Sequence, residues 1–209
     1  MAISSAFAPA GYGLGSNSPG VTESTIDGTV LNGWYAFVPT AFITLCNITF
    51  RYGHLHVDNF DGNAARQTLY IINGNNIVLR RERSGGVWGE WECENPPMEV
   101  GVEYRTTKRY NGRAVFCKLV DVGTLPNATY AYISTGVPVF EYPFFTHVEP
   151  RLRRDNIGTF DYLDDSMYIC TLFRNSALWH FKVSTTSDKS AYSLRIYIEY
   201  IKTHDTSYS

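Results

Sequence analysis

The sequence predicts an all-β protein built from two small antiparallel β domains. Three observations lead there. Aromatic residues make up 15% of the 209 positions, with 15 tyrosines among them, and such side chains suit a pleated, half-buried surface. Turn-forming pairs recur at short intervals, separated by runs of β-branched and aromatic residues of strand length. No window of about eleven residues carries a helical period.

Bulk composition narrows the function classes. With 44% hydrophobic and 18% charged residues the chain is ordinary for a folded protein, and its net charge of -2 gives no broad attraction to nucleic acid or anionic membrane. The opening MAISSAFAPAGYGLGS has neither a basic start nor a long apolar run, so no secretory signal and no membrane insertion are expected. Folding in the cytosol of the cell that makes it is the matching expectation. Cys46, Cys93, Cys117 and Cys170 are scattered with no CxxC pair. They therefore read as free thiols used as small apolar residues, not as a zinc ribbon or redox motif.

Residues 1–30 are rich in Gly, Ser, Pro and Ala and read as an extended lead-in. Turn signals then come at Asn32-Gly33, Asp61-Gly62, Asn73-Gly74 and Gly85-Gly86. Between them lie the strand-like runs WYAFV, AFITLCNITF, HLHVDNF, QTLYIIN and NIVLRRER. Pro96-Pro97 ends this series, because neither proline can donate to a ladder. The first β domain is therefore placed at 31–98 and the second at 99–209.

The second domain opens on the hairpin YRTTKRYNGRAVFCKLV. Asn111-Gly112 predicts a two-residue type I′ turn with positive φ at both positions. That turn puts Tyr104, Thr106, Lys108 and Tyr110 on one face with Arg113, Val115, Cys117 and Leu119. The opposite face, with Glu103, Arg105, Thr107, Arg109 and Lys118, is the more polar, apart from Phe116 and Val120. Further strands are expected at TYAYIST, MYICTLF, ALWHFKVSTT and YSLRIYIEYIK. In the last, Leu194, Ile196, Ile198 and Tyr200 share one side. Residues 146–166, THVEPRLRRDNIGTFDYLDDS, interrupt the rhythm and read as an exposed loop or short irregular strand.

Catalytic patterns are not apparent. No nucleophile elbow, phosphate-binding glycine loop or HExxH occurs, and no cofactor is implied. The acids Asp161, Asp164 and Asp165 have the residue type that glycoside hydrolysis uses in pairs, but clustered acids in a polar loop are commonly a solvated surface. His54 and His56 alternate onto one strand face and read first as solvated or packed histidines; a metal site needs more ligands than one chain gives, and would require a trimer to share the pair on its threefold axis. Trp34, Trp88, Trp91 and Trp179, with the tyrosines, have ring faces suited to the C–H faces of pyranoses. For Trp88 and Trp91 a packing role is favoured, and for Trp179 stacking on a ligand and packing stay open.

Several segments resemble a known class. FAPAGYGLG resembles lead-ins found in bacteriophage tail-fibre proteins, and LNGWYAF through RYGHLHVDNF to VWGEWECENPP resembles the small β domain of pyocin-knob type. GVEYRTTKRYNGRAVFCKLVDVGTLPN is similar to the hairpin that opens the receptor-binding head in phages and prophages of Gram-positive gut bacteria, and IEYIKTHD is similar to its closing strand. The resemblance implies a knob-like domain at 31–98, a β-sandwich-like head at 99–209, and assembly as a homotrimer in the virion tail. It further implies a non-enzymatic adhesin that attaches to a bacterial surface polysaccharide or wall teichoic acid.

Within that reading the expected contact surface is the 146–166 segment with Trp179. Phe160 and Tyr162 are placed to stack, and Arg153, Arg154, Asp161 and Asp164 to bond polar groups. Arg151, Arg153 and Arg154 become the natural contacts if the polymer carries phosphate. The alternatives are a fibre-borne depolymerase or wall hydrolase, and a purely structural trimerising segment.

Overall fold

The computed structural model describes residues 18–72, 76–138, 144–154, 167–175 and 178–202, with 144, 150–154 and 167–175 described by their backbone. Among the described residues there is no α-helix; one 3-10 turn, Ile26–Gly28, stands among sixteen strands. The chain is all-β and forms two compact units.

The first unit holds the described residues up to Pro97 together with Tyr104–Thr107. Its strands are β1 (Gly20–Val21), β2 (Gly33–Phe37), β3 (Ile43–Leu45), β4 (Ile48–Phe50), β5 (Gly53–Asn59), β6 (Ala65–Ile71), β7 (Val78–Ser84), β8 (Val87–Trp88) and β9 (Glu92–Cys93). The order β1-β2-β5-β6-β7-β9 makes one sheet, antiparallel except where β1 joins β2. Alternation decides its two faces. Tyr35, Phe37, Leu55, Val57, Leu69 and Leu79 point inward and are buried. The hairpin of β3 and β4 adds Phe50, whose ring lies 6.0 Å from that of Phe37.

Two local readings of this unit are corrected. AFITLCNITF is not one strand: Cys46 and Asn47 both take positive φ, at 51° and 59°, and turn the chain between β3 and β4. Asn tolerates that region readily, and its neighbour follows because a two-residue hairpin turn needs both. The Gly-rich stretch before residue 30 also ends in packed structure, since Val21 and Ile26 are buried. Gly53 follows from space: a Cβ there would stand 2.9 Å from the Tyr70 carbonyl oxygen.

The inner face contains polar side chains that satisfy one another. Arg81 donates to Gln67 Oε1 at 2.9 Å and to Asp27 at 2.6 Å, while Gln67 donates to the carbonyls of Ile26 and Thr29. The Arg81 guanidinium lies 4.6 Å from the Trp88 ring and 4.5 Å from the Trp91 ring. Burial pushes the Arg81 pKa down from its ordinary value, and the Asp27 carboxylate opposes that shift. Trp88 and Trp91 are thus packing residues, as the sequence favours.

The second unit holds Met98–Glu103 and the described residues from Lys108 onward. Strand β10 (Glu103–Tyr110) leads through Asn111 and Gly112, at φ 50° and 78°, into β11 (Arg113–Thr124), so the turn has the positive φ values expected. The remaining strands are β12 (Tyr130–Pro138), β13 (Phe144–Arg154), β14 (Met167–Asn175), β15 (Leu178–Thr185) and β16 (Tyr192–Ile201). One sheet runs β11-β16-β13 and another β12-β15-β14. Between them lie Phe116, Val120, Val137, Phe181 and Val183 with Leu194, Ile196, Ile198 and Tyr200, a sandwich core.

Here too the structure differs from the sequence reading. Phe116 and Ala114 face this core, and Val115, Cys117 and Leu119 on the other side are buried as well. The segment before β10 covers them: Gly101 N–H donates to the Leu119 carbonyl at 2.8 Å, and the Cys117 thiol sits 3.7 Å from Met98 Sδ. Alternation alone does not reveal a second buried face. Of the two readings open for 146–166, residues 146–154 take the irregular strand: they pair along β16 with one irregularity between Phe145 and His147. Pro150 lies on β13, which ends its sheet, the kind of strand where proline is found.

Candidate functional site

The outer face of the first sheet carries a row of rings. Strand register places Trp34 opposite His56 and His56 opposite Thr68; the next row is Ala36, His54 and Tyr70. Trp34 and His56 lie with ring centroids 4.5 Å apart at 33°, and Trp34 and Tyr70 at 5.6 Å and 32°. Trp34 is 41% exposed and Tyr70 39%. The rings thus form a tilted shelf over the exposed side of β2, β5 and β6.

At one end of the shelf the surface becomes polar and concave. An open groove of about 680 Å³ is lined by Asn32, His56, Asp58, Asn59, Arg66 and Glu82, among others. Asp58 lies 3.5 Å from His56 Nδ1 and is otherwise solvent-facing. Arg66 donates to Glu82 Oε1 through Nε at 3.2 Å and Nη2 at 2.7 Å. The groove wall is built by its own side chains: Asn32 Nδ2 donates to the Asn59 carbonyl at 3.1 Å, and Asn59 Oδ1 accepts the Gly62 N–H at 2.6 Å. At the other end, Val38, Tyr52 and Ile72 are exposed and apolar.

Chemically, this surface can receive a ring with an apolar face and exchange hydrogen bonds with its substituents. No protein-family model matches the chain, and no curated protein is similar to it. Solved structures of pyocin tail fibres are similar to it over most of its length. An N-truncated R2-type pyocin tail fiber is 13% identical with a TM-score of 0.27, covering 86% of this chain and 94% of that one. A C-terminal part of the P. aeruginosa R1 pyocin fiber is 11% identical with a TM-score of 0.30, covering 88% of this chain and 68% of that one. The corresponding R2 fiber is 14% identical with a TM-score of 0.27, covering 86% and 65% respectively.

The residues expected to form a site have a different distribution. Trp179 lies on β15 of the second unit, partly buried against the sandwich core and edge-on to Phe145 at 6.1 Å. Arg151, Arg153 and Arg154 lie on the edge strand β13, paired with Arg195, Ser193 and Tyr192 of β16. Phe160, Asp161, Tyr162 and Asp164 lie outside the described residues. His54 and His56 do share the outer face of β5, and His56 is engaged with Trp34 and Asp58. Among the described residues no three His, Cys, Asp or Glu side chains converge as metal ligands.

Sequence reasoning named Trp34 only as one ring among four and did not single out Tyr70. The signal was there in parity: Trp34, His54, His56 and Tyr70 are each the polar-side member of an alternating strand. Assembling them takes the register of three strands, which alternation within one strand does not fix.

Proposed function

We propose that this chain is a host-attachment component of a tail fibre, working as a homotrimer in the virion and holding a bacterial surface polymer without cleaving it. The observation that carries the proposal is the exposed shelf of Trp34, His56 and Tyr70 beside an open polar groove. Rings left on a sheet surface make no contribution to the core of a single chain, and exposed patches of this kind mark contact surfaces. The tail-fibre class comes from the resemblance of the VWGEW and RYNGRAVFCKLVDVG segments.

The homotrimer belongs to the same reading. Val38, Tyr52 and Ile72 are exposed apolar surface on which another copy could pack. Three copies would multiply contacts that are weak singly, because the second and third binding events become intramolecular. The polymer is a surface polysaccharide or a wall teichoic acid.

Incubating the labelled full chain with purified cell walls from a panel of Gram-positive bacteria tests this reading. The chain is expected to sediment with one or more walls while the released polymer keeps its length. A chain that stays in solution with every wall, or that shortens the polymer, contradicts it.

A further inference from the structure

We infer that the shelf and its groove form a subsite for one neutral pyranose, whether a unit of a polysaccharide or a sugar carried by a teichoic acid, and that the groove itself seats no phosphate or carboxylate group. The inference rests on the attachment reading above and names the ligand class at that site.

Ring geometry comes first. The Trp34 indole spans toward both His56 and Tyr70 and keeps 41% of its surface in solvent. A pyranose has one face of axial C–H groups that packs on such a ring, with its hydroxyls directed sideways. The groove starts where those hydroxyls would emerge, since His56 belongs to both the shelf and the groove wall.

Polar groups at the rim suit hydroxyls. Asp58, with its side chain 63% exposed, offers carboxylate oxygens that can accept from two adjacent hydroxyls. Asn59 spends its side-chain oxygen on the Gly62 N–H, so its amide NH2 is the group that can donate.

Charge decides against an anion. Arg66 is bonded twice to Glu82. Arg83 donates to the Gly86 carbonyl at 2.9 Å and the Gly62 carbonyl at 2.7 Å. Arg80 is paired with Glu94 at 2.9 Å. A phosphate entering here would meet Asp58 and Glu82, and the two arginines that line the groove, Arg66 and Arg83, already hold partners. Phosphate recognition calls for the reverse arrangement.

A glycan array carrying neutral hexose and N-acetylhexosamine oligosaccharides beside hexuronate- and phosphate-bearing ones tests the assignment, using the full chain and the variants Trp34→Ala, Trp34→Phe and Asp58→Asn. Neutral glycans are expected to bind, with little change between low and high salt because no charge is neutralised. Trp34→Ala is expected to lose about tenfold or more, with Trp34→Phe retaining part of the signal. Cooperative melting transitions well above the assay temperature show that the variants fold, including Trp34→Ala with its small loss of stability.

Binding confined to anionic glycans overturns the inference, as does Trp34→Ala binding like the parent. A chain that sediments with cell walls yet retains no neutral glycan overturns the subsite and leaves attachment standing. A chain that binds neither walls nor glycans overturns both.

Discussion

Trp34 and His56 face each other across neighbouring strands with their ring centroids 4.5 Å apart, on the side of the sheet opposite to its core. The strands that carry them place Tyr35 and Leu55 inward at the next register position, both buried. One pair of strands therefore buries one face and leaves paired rings partly exposed on the other.

That division predicts unequal costs. Trp34→Ala removes a cross-strand ring pair at the surface and is expected to cost about 0.5–1 kcal/mol. Leu55→Ala, one residue from His56 but at 0% exposure, is expected to cost about 2–5 kcal/mol through lost burial and a cavity. Urea denaturation of the two variants measures both.

Arg81 is the polar centre of the first unit. Replacing it with Ala leaves Gln67 Oε1 buried without its donor and removes the cation from between Trp88 and Trp91. The expected loss is about 2–4 kcal/mol. Asp27 contributes little of this, because its side chain is 73% exposed. Comparing Arg81→Ala with Asp27→Ala by denaturant midpoint checks the ordering.

Gly53 explains the glycine of the RYGHLH run. Its added Cβ would stand 2.8 Å from Leu69 Cδ1 and 2.9 Å from the Tyr70 carbonyl oxygen, and the latter belongs to a paired strand that cannot yield freely. Gly53→Ala is expected to destabilise by about 1–3 kcal/mol. At Gly28 a Cβ meets nothing within 4 Å, so Gly28→Ala should lie within about 0.5 kcal/mol of the parent. Thermal melts of the pair separate the two cases.

In the second unit, Glu199 gives a pH dependence. Burial raises its carboxyl pKa, but hydrogen bonds from Lys108 and Tyr197 outweigh burial and hold it below the ordinary value of 4.5. A depressed carboxyl contributes stability that is fully present above the unfolded value and is lost as pH falls through the folded one. The parent should therefore lose stability below about pH 4.5 partly through this group, and Glu199→Gln should show a shallower decline there. Melting temperature between pH 6 and pH 3, scanned for both proteins, reads the difference.

The strands of the sequence are legible where apolar residues keep a strict alternation along one face. Leu194, Ile196, Ile198 and Tyr200 alternate in β16 and all are fully buried. The Asn111-Gly112 turn was equally plain, because two positive φ values demand those residues. What resisted was anything set by tertiary cover or strand pairing. Val115 and Cys117 are hidden by a segment from before the hairpin, and 146–154 reads equally as loop or irregular strand because its charges and Pro150 suit an edge strand as well as a turn. For the same reason the shelf was not visible: Trp34, His56 and Tyr70 come from three strands, and only their register brings the rings together.

The most direct test of attachment through this surface is cell-wall retention of the parent against Trp34→Ala, at matched folding judged by melting temperature. The account predicts that walls retaining the parent hold Trp34→Ala about tenfold less tightly. Equal retention of the two proteins on the same walls would contradict it.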